Sequence, residues 1–508
     1  MDAGPSIRTL YRATRVRTQG QPATGEWLLV DGRHIERVGI GDPPPADRIV
    51  DLPGATIIPG FIDAHVHLTG TGIRSRWPQA AAAGSPGELV AALTDLMRVA
   101  NASILVHGFD ESRWTERRVP TLEELDAIGP HPVVCVRADG HVSLANTPAL
   151  ERSDALDLPG VARDEAGSPT GLVTRAANDA LQRWYVDQLG DQELEELQLE
   201  AAAVAAARGV TSVHEMSIPA SRGTRDLDVL LAHRERLPVD VVAYAATMDI
   251  PLVMERGLGR IGGDLSMDGS IGARTAFVSA AYVDDPGTGV GYIEEDDLAS
   301  FLQEAHVAGL QVGLHAIGDA AIERTVTAWE RVYRALDSRL RRHFRARRHR
   351  IEHFEMPVEG HIERAAALGL AISVQPAFDA TWGFPGQLYE QRLGETRAAA
   401  MNPFRTMVER GLTLGAGSDT PITPLDPLAG VHALEHPHDP TRALARDDAL
   451  RLATVGSARL AHQDKKGRLE PGMHADFVAY DQDPVTVGDI ASLRPIMTVS
   501  LGRDVYVQ

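Results

Sequence analysis

The 508-residue sequence has one cysteine, Cys135, so no disulfide bond can form within the chain and a reducing compartment is expected. This cysteine lies in the apolar run PVVCV, which is typical of a small buried hydrophobic residue rather than a nucleophile. No stretch approaches the roughly 20 apolar residues of a membrane-spanning helix, and the N-terminal residues lack a secretory signal pattern. We therefore expect a cytoplasmic protein without a membrane partner.

Positive charge is also scarce, because 50 basic residues face 70 acidic ones, which gives a formal net charge of −20. Such an acidic chain repels phosphate backbones, so nucleic acid is not an expected partner. One basic run, residues 339–350, goes against this balance, and a solvated helix end explains it better than an anion or nucleic-acid patch. The sequence has no internal repeat, and 44% hydrophobic residues predict a fully folded chain.

Both ends of the chain are rich in short β-like runs. Residues 26–40 contain two such runs around Asp31 and Gly32, which is a strong hairpin signal. Residues 467–508 carry further β-branched and aromatic runs separated by glycine and proline. The two ends therefore predict one small β-sandwich domain, formed by residues 1–56 and 467–508.

Between these ends, apolar strand-like runs alternate with helical patterns, such as the one from Asp191 to Gly209. Strand-like runs occur at residues 57–68, 210–215, 239–246, 264–269, 310–315, 349–355, 370–376 and 412–419. Eight such alternating units predict an α/β fold, a (β/α)8 TIM-type barrel over residues 57–68 and 191–466. Residues 69–190 are too many for an ordinary connection, so we expect an inserted subdomain over the barrel mouth.

The stretch PGFIDAHVHL, residues 59–68, ends the first predicted strand and carries two histidines. His65 and His67 are two residues apart, so on a strand their side chains point the same way. A divalent metal would satisfy both imidazoles. A pair of hydrogen-bonded core histidines explains so short a motif equally well.

Three further polar residues, His315, His353 and Asp419, each close an apolar strand downstream. Because the carboxyl ends of barrel strands face the same mouth, we expect these residues to converge with His65 and His67. Four imidazoles and one carboxylate suit a divalent ion, with zinc the first candidate and iron, manganese or nickel as alternatives. This convergence favours metal binding over core packing.

The order of the motifs resembles a known family. PGFIDAHVH, HAIGDAA, RIEHFE, SVQP, GSDTP and GRLEPGMHADFVAYD follow one another along the chain, and GFDESRW, DGHVSLAN and DGSIGARTA lie among them. Together they resemble the amidohydrolase superfamily, in particular the metal-dependent amidohydrolases of the YtcJ-like branch and N-substituted formamide deformylases. The resemblance covers nearly the whole chain and is more specific for family than for substrate.

The resemblance implies a role for each strand-end residue. His65 and His67 hold a buried metal, and His315 and His353 are the ligands from the fifth and sixth strands. Asp419, from the eighth strand, binds metal and takes a proton from the attacking water, and Asp419 and His353 are the predicted catalytic residues. The chemistry agrees, because a metal activates water and polarises a carbonyl, while a neighbouring carboxylate can pass a proton to the leaving nitrogen.

One position departs from the family pattern. Relatives with two metals carry a lysine four residues before the aspartate of the DGS motif, and its carboxylated amine bridges the ions. Here that position is Asp264, so either Asp264 supplies a shorter carboxylate or the bridge is missing. One ion is favoured over two, because aspartate is shorter than a carboxylated lysine and two metals lie about 3.5–4 Å apart. Glu215, which ends the second strand, is a rival carboxylate or a hydrogen-bond partner of a ligand histidine.

Four residues are predicted to bind the substrate. Trp114 and His141 belong to the inserted segment, where the resemblance implies a place near the substrate and ordinary packing explains them equally well. Asp268 and Arg274 could recognise a polar substrate group or pair with each other. Arg175 stands where the relatives often have glutamate, so the substrate cannot be carried over.

The resemblance implies a metal-dependent hydrolase that cleaves a non-peptide carbon–nitrogen bond in a small molecule, as in an amide, N-acyl or N-formyl group. The same site could serve ester or carbamate hydrolysis, isomerisation or decarboxylation, because fold does not fix the reaction. A ligand-binding barrel without turnover is disfavoured because Asp419 is retained. The oligomeric state stays open, and a homodimer is common among relatives.

Overall fold

The computed structural model of the protein describes residues 7–77, 82–100 and 102–508. The first six residues of the predicted terminal domain and five residues of the predicted insertion lie outside the described residues. Strands and helices alternate through the described part, which confirms the α/β class. No helix in these ranges is both long enough and apolar enough to cross a membrane.

The strands of the described residues, in chain order, are β1 (Arg8–Arg17), β2 (Thr24–Asp31), β3 (His34–Gly39), β4 (Arg48–Pro59), β5 (Phe61–Val66), β6 (Ile104–Phe109), β7 (Val133–Arg137), β8 (Val142–Ala145), β9 (Val161–Arg163), β10 (Pro169–Thr174), β11 (Val210–Ser217), β12 (Asp240–Ala245), β13 (Arg260–Ile261), β14 (Gln311–Ala316), β15 (Arg350–His353), β16 (Ala371–Val374), β17 (Thr413–Ala416), β18 (Phe477–Tyr480), β19 (Pro495–Ser500) and β20 (Arg503–Val507).

The α-helices of the described residues are α1 (Leu68–Arg76), α2 (Pro86–Ala100), α3 (Leu122–Asp126), α4 (Thr147–Arg152), α5 (Arg175–Gln188), α6 (Asp191–Ala207), α7 (Pro219–His233), α8 (Ile250–Glu255), α9 (Glu295–Val307), α10 (Asp319–Ala335), α11 (Ser338–Arg347), α12 (Glu359–Leu368), α13 (Pro376–Trp382), α14 (Leu388–Leu393), α15 (Glu395–Ala400), α16 (Phe404–Glu409), α17 (Pro427–Glu435), α18 (Arg446–Arg451) and α19 (Ser457–Leu460).

Strands from both ends of the chain pair in one sheet, with the order β20-β19-β18-β4-β1-β2-β3. The predicted hairpin is formed by β2 and β3, where Trp27 lies opposite Gly39. The buried face includes Tyr11 and Phe477, whose rings meet edge to face at 4.8 Å between centroids. The sheet thus joins the two termini through a shared apolar core, and a two-layered sandwich stays a prediction.

The apolar run around Gly60 is divided between two strands. Ile57 and Ile58 belong to β4 and lie opposite Ala479 and Val478 of β18, in the terminal sheet. The following strand, β5, begins only at Phe61 and pairs in parallel with β11. The strand that carries His65 therefore starts four residues later than the predicted boundary at residue 57.

Eight parallel strands form two hydrogen-bonded sheets, β12-β11-β5 and β13-β14-β15-β16-β17. The amide of Gly262 donates to Ala245 at 2.7 Å, and the amide of Asp419 donates to His65 at 2.8 Å, so hydrogen bonds link the sheets at both edges. The predicted fourth strand, residues 264–269, is wrong. The fourth strand is β13, after which Gly262 and Gly263, both with positive φ, interrupt the pairing. Within residues 264–269 only Ser266 forms a bridge, in parallel with His315.

The segment between β5 and β11 has a sheet of its own, in the order β6-β7-β8-β10-β9. Cys135 lies in β7 and is fully buried, as predicted, and this burial raises the pKa of its thiol. The basic run begins as the exposed helix α11, but Arg350 at its end is buried inside β15. The surface interpretation of that run therefore holds for the helix and not for the last two residues of the run, because His349 is buried as well.

Candidate metal centre

The carboxyl ends of the parallel strands bring the predicted ligands together. His65 lies in β5 and His67 directly follows it, while His315 lies in β14, His353 ends β15, and Asp419 follows β17 by three residues. Each is buried except His67, whose side chain is 13% exposed. The residues span more than 350 positions of sequence and meet because parallel strands end at the same edge.

His65, His67 and Asp419 form one side of the cluster. Asp419 Oδ1 lies 3.1 Å from His67 Nε2 and 3.4 Å from His65 Nε2. His353 and Asp419 both have positive φ, 70° and 54°, which is uncommon for residues other than glycine. Such backbone strain, of order 1–3 kcal/mol per residue, is concentrated at functional sites in proteins.

Asp264 lies between the two sides of the cluster. Its Oδ1 is 3.0 Å from His315 Nδ1 and 3.5 Å from His353 Nε2, and its Oδ2 is 3.6 Å from His67 Nε2. The glycine turn after β13 directs the chain inward, so a short carboxylate reaches the histidines. Asp264 therefore reaches the histidines although its side chain is shorter than a carboxylated lysine.

The cluster fits a divalent cation. Three overlapping sets of residues each offer ligand atoms within 4.8 Å of one another: His65, His353 and Asp419; His65, His67 and Asp264; Asp264, His315 and His353. Within the described residues, His65 Nε2, His353 Nε2 and Asp419 Oδ1 are buried without a hydrogen-bond partner. Buried polar atoms are costly when unpaired, and imidazole nitrogens and carboxylate oxygens are suitable donors to zinc.

The charges of the cluster also favour a cation. Burial lowers the pKa of His65, but Asp419, Glu352 and Asp264 raise it to about 9. Burial likewise opposes charge on His315, and Asp264 raises the pKa of that imidazole to about 9. Although burial raises the pKa of the Asp264 carboxyl, His315 and His353 hold it well below its usual value. Positive charge among these side chains is therefore stabilised by the neighbouring carboxylates, as a bound cation would be.

Two residues that sequence reasoning missed orient His65. Glu352 accepts a hydrogen bond from His65 Nδ1 at 3.0 Å, and Arg350 donates to both oxygens of Glu352 at 2.8 and 2.9 Å. With Nδ1 occupied, Nε2 of His65 faces the cluster. His67 is fixed in the same way, because its Nδ1 lies 2.8 Å from the carbonyl oxygen of Met216. The signal in the sequence that could have revealed Arg350 and Glu352 is their opposite charges, two residues apart in a predicted strand.

Asp63 and Gly417 connect β5 to the loop that carries Asp419. Asp63 Oδ1 accepts the amides of His65 at 3.2 Å and Ser418 at 2.9 Å. A Cβ atom on Gly417 would lie 2.6 Å from the amide nitrogen of His65, so only glycine allows this approach. Asp63 thus has a structural role, because it ties β5 to this loop.

Glu215 has neither of its predicted roles. Its Oε2 accepts the amide of Leu68 at 2.7 Å, which satisfies a free donor at the start of α1. Burial raises the pKa of the Glu215 carboxyl to about 7. The ligand sets of the cluster do not include it.

A cavity of about 460 Å³ opens over the cluster. Its apolar lining includes Ile271, Ile317, Phe378, Trp382 and Leu388. The inserted segment and the parallel strands both line it. A largely apolar cavity with a few convergent polar groups is the usual form of a small-molecule site.

The predicted substrate residues divide into those near the cavity and those away from it. His141 lines the cavity, and its ring centroid is 5.5 Å from that of His315. Trp114 packs in the core of the insertion and donates from Nε1 to the carbonyl of Ala83. Trp114 is therefore not among the residues that line the cavity.

Asp268 and Arg274 do not pair with each other. Asp268 is fully buried and accepts the amides of Ile317 and Gly318 at 3.0 and 2.8 Å. Arg274 makes a two-pronged ion pair with Asp284, at 2.6 and 3.0 Å. Neither lines the cavity, and Asp268 supports the loop after His315.

Comparisons with known proteins agree with this site. The amidohydrolase family model matches residues 48–506, so the chain belongs to the amidohydrolase family and is a hydrolase of that family. It is 29% identical over 502 residues to "Putative amidohydrolase YtcJ" of Bacillus subtilis, covering 91% of each chain. It is 25% identical over 535 residues to N-substituted formamide deformylase of Arthrobacter pascens, covering 93% of each.

A solved structure resembles the whole chain. An uncharacterized metal-dependent hydrolase of Pyrococcus horikoshii superposes with a TM-score of 0.76 at 27% identity, covering 96% of this chain and 99% of its own. The predicted family is confirmed.

Proposed function

We propose that this chain hydrolyses a carbon–nitrogen bond other than a peptide bond, in an amide, N-acyl or N-formyl group of a small molecule. The observation that carries the proposal is the buried cluster of four histidines and two aspartates beneath the cavity, with unpartnered ligand atoms. The similarity to an N-substituted formamide deformylase supports the same bond type.

We further propose that the cluster holds two divalent ions, with zinc the first candidate, rather than the single ion favoured by the sequence. His65, His67 and Asp419 would hold one, His315 and His353 the other, with Asp264 between them. The support is that Asp264 is shared by two of the ligand sets. When bound, such ions lower the pKa of water and polarise the scissile carbonyl.

The chain's own groups divide the remaining work. Asp419 accepts the proton of the attacking water and donates it to the leaving nitrogen as the carbon–nitrogen bond breaks. Its free Oδ1, facing His65 and His67, supports this role. His353 is the second proposed catalytic residue, and the apolar wall of the cavity excludes bulk water from the carbonyl.

We infer that the two parallel sheets form a closed (β/α)8 barrel, with the insertion over its mouth and the terminal sheet at its side. The hydrogen bonds at both sheet edges and the shared lining of the cavity support this arrangement. A cytoplasmic location and a homodimer stay predictions.

The experiment is turnover by the purified full chain on matched N-formyl, N-acetyl, carbamate and ester compounds, before and after chelation. We expect release of amine from the N-acyl compounds, its loss after chelation, and its recovery with added zinc. Turnover that chelation leaves unchanged would contradict the metal-dependent mechanism. Turnover confined to esters or carbamates would contradict the proposed bond type.

A further inference from the structure

One arginine in the cavity is buried without a partner. Arg222, at the start of α7, is 8% exposed and lines the cavity. Its guanidinium makes no hydrogen bond or ion pair with the described residues, and Nη1 is completely shielded from solvent. An unpaired buried charge of this kind lowers the stability of the fold, so its presence points to a functional role for Arg222.

Two of the carboxylates that act on Arg222 have other partners, and the third, Asp179, lines the same cavity. Asp226 accepts hydrogen bonds from Thr69 at 2.6 Å and Gln198 at 2.8 Å, and Glu215 accepts the amide of Leu68. They act on the Arg222 charge only from a distance, as does Asp179. No carboxylate of the described part of the chain therefore occupies the fork of the guanidinium.

The guanidinium lies beside the metal cluster. A Cβ atom on Gly70, three residues after His67, would come within 2.8 Å of Arg222 Nη2. His107 also lines this corner of the cavity and has a buried, unpartnered Nε2. Burial and the charge of Arg222 hold the pKa of His107 well below its usual value, so its imidazole is neutral. The corner thus offers one positive charge and one neutral imidazole.

The remaining wall of the cavity has the opposite character. Phe378, Trp382 and Leu388 line it with apolar surface. A ligand that satisfies both parts carries an anionic group and an apolar group. Carboxylate is the anion that a planar guanidinium fork binds with two parallel hydrogen bonds.

We propose that Arg222, with His107 beside it, binds a carboxylate of the substrate, and that the substrates are N-acyl or N-formyl compounds carrying both a carboxylate and an apolar group. This substrate class rests on the proposed function. Arg222 is a binding residue here, and Gly70 provides the space for its side chain.

The kinetic test compares N-formylphenylalanine with N-formyl-2-phenylethylamine, which lacks only the carboxylate. We expect the intact protein to prefer the acid by about 10- to 100-fold in kcat/KM, the size of charge-assisted pairing. Arg222→Gln should remove the preference through KM, and Arg222→Lys should restore part of it. Gly70→Ala, which displaces Nη2 without removing charge, should weaken it. A fall in kcat for both compounds alike would overturn the proposal, because it would mean that Arg222 acts on the scissile carbonyl.

A binding measurement keeps this inference separate from catalysis. Calorimetry with 3-phenylpropanoate and 3-phenylpropan-1-ol, neither of which contains a carbon–nitrogen bond, should show binding of the acid that Arg222→Gln weakens at least tenfold. Arg183→Gln removes the same charge from exposed α5 and should leave binding unchanged. Equal binding of the acid by wild type and Arg222→Gln would overturn the carboxylate site.

Two further measurements distinguish the carboxylate site from a structural role of Arg222 and from the proposed hydrolysis. Arg222→Gln should melt no lower than wild type, because it removes an unpaired buried charge; a lower melting temperature together with unchanged acid binding would show a structural role and overturn the proposal. Binding of the acid that depends on Arg222, without turnover of any carbon–nitrogen compound, would uphold the site and reject the proposed function. Turnover of the carbon–nitrogen compounds without a preference for the acid would uphold the proposed function and reject the carboxylate site.

Discussion

Asp419 is the residue on which proton transfer depends in the proposed mechanism. Asp419→Asn keeps an oxygen for the metal but cannot accept the proton, so we expect turnover to fall by about 10²- to 10⁴-fold. Metal content, measured by mass spectrometry of the dialysed protein, should be largely retained. The matched control is Asp481→Asn at an exposed position, which should change neither quantity. Full activity in a metal-loaded Asp419→Asn protein would remove this residue from proton transfer.

Asp264 decides the number of ions. Its two oxygens face different histidines, Oδ1 toward His315 and His353 and Oδ2 toward His67. The amide of Asp264→Asn has one oxygen and no charge, so we expect the metal content to fall from two ions per chain to one. A wild-type protein with a single ion, or a variant that keeps both, would contradict the bridging role.

The proposed ligands could be picked out from the sequence, whereas the residues that support them could not. Each of the five predicted ligands lies at or just after the end of an apolar run, and this pattern can be read from the sequence. These residues are His65, His67, His315, His353 and Asp419. Arg350 was hidden at the end of a basic run whose charge suggested a surface, and Glu352 follows that run by two residues. Arg222 and His107 carry no local pattern, because their significance comes from the partners that they lack in the folded chain.

At the scale of an element, the loop after β17 must approach β5 closely enough to place Asp419 beside His65. Gly417 makes this approach, since a Cβ there would meet the His65 backbone at 2.6 Å. We expect Gly417→Ala to push the loop from β5, to lower the unfolding free energy by about 1–3 kcal/mol, and to reduce metal content. Denaturant unfolding and metal analysis measure the two effects.

Gly430 provides the matched control for this element. It lies within α17, and a Cβ there meets no atom within 4 Å. Gly430→Ala should therefore leave metal content unchanged and stabilise the protein by roughly 0.5–1 kcal/mol through helix propensity. Equal metal content in the two alanine variants would contradict a positioning role for Gly417.

The fourth strand shows where element prediction from sequence fails. The run DLSMDG has the alternation of a strand, but the strand lies earlier, at Arg260–Ile261. Gly262 and Gly263, with φ of 78° and 71°, convert the run into a loop that carries Asp264 inward. The other parallel strands were found because each is at least four residues long, whereas a two-residue strand leaves no periodic signal.

At the scale of the whole molecule, the metal cluster joins segments from residue 65 to residue 419. Each ion that binds only the folded chain stabilises it by about 4 kcal/mol when its free concentration is a thousand times Kd. With an unfolding entropy of about 2.1 cal/mol/K per residue, two such ions correspond to roughly 8 °C for a chain of this length. We expect chelation to lower the melting temperature by about this amount and added zinc to restore it, measured by calorimetry. The variant His65→Asn/His67→Asn lacks two ligands, so chelation should shift its melting temperature by less. If metal-loaded and chelated wild type melted at the same temperature, the ions would not bind the folded chain more tightly than the unfolded chain.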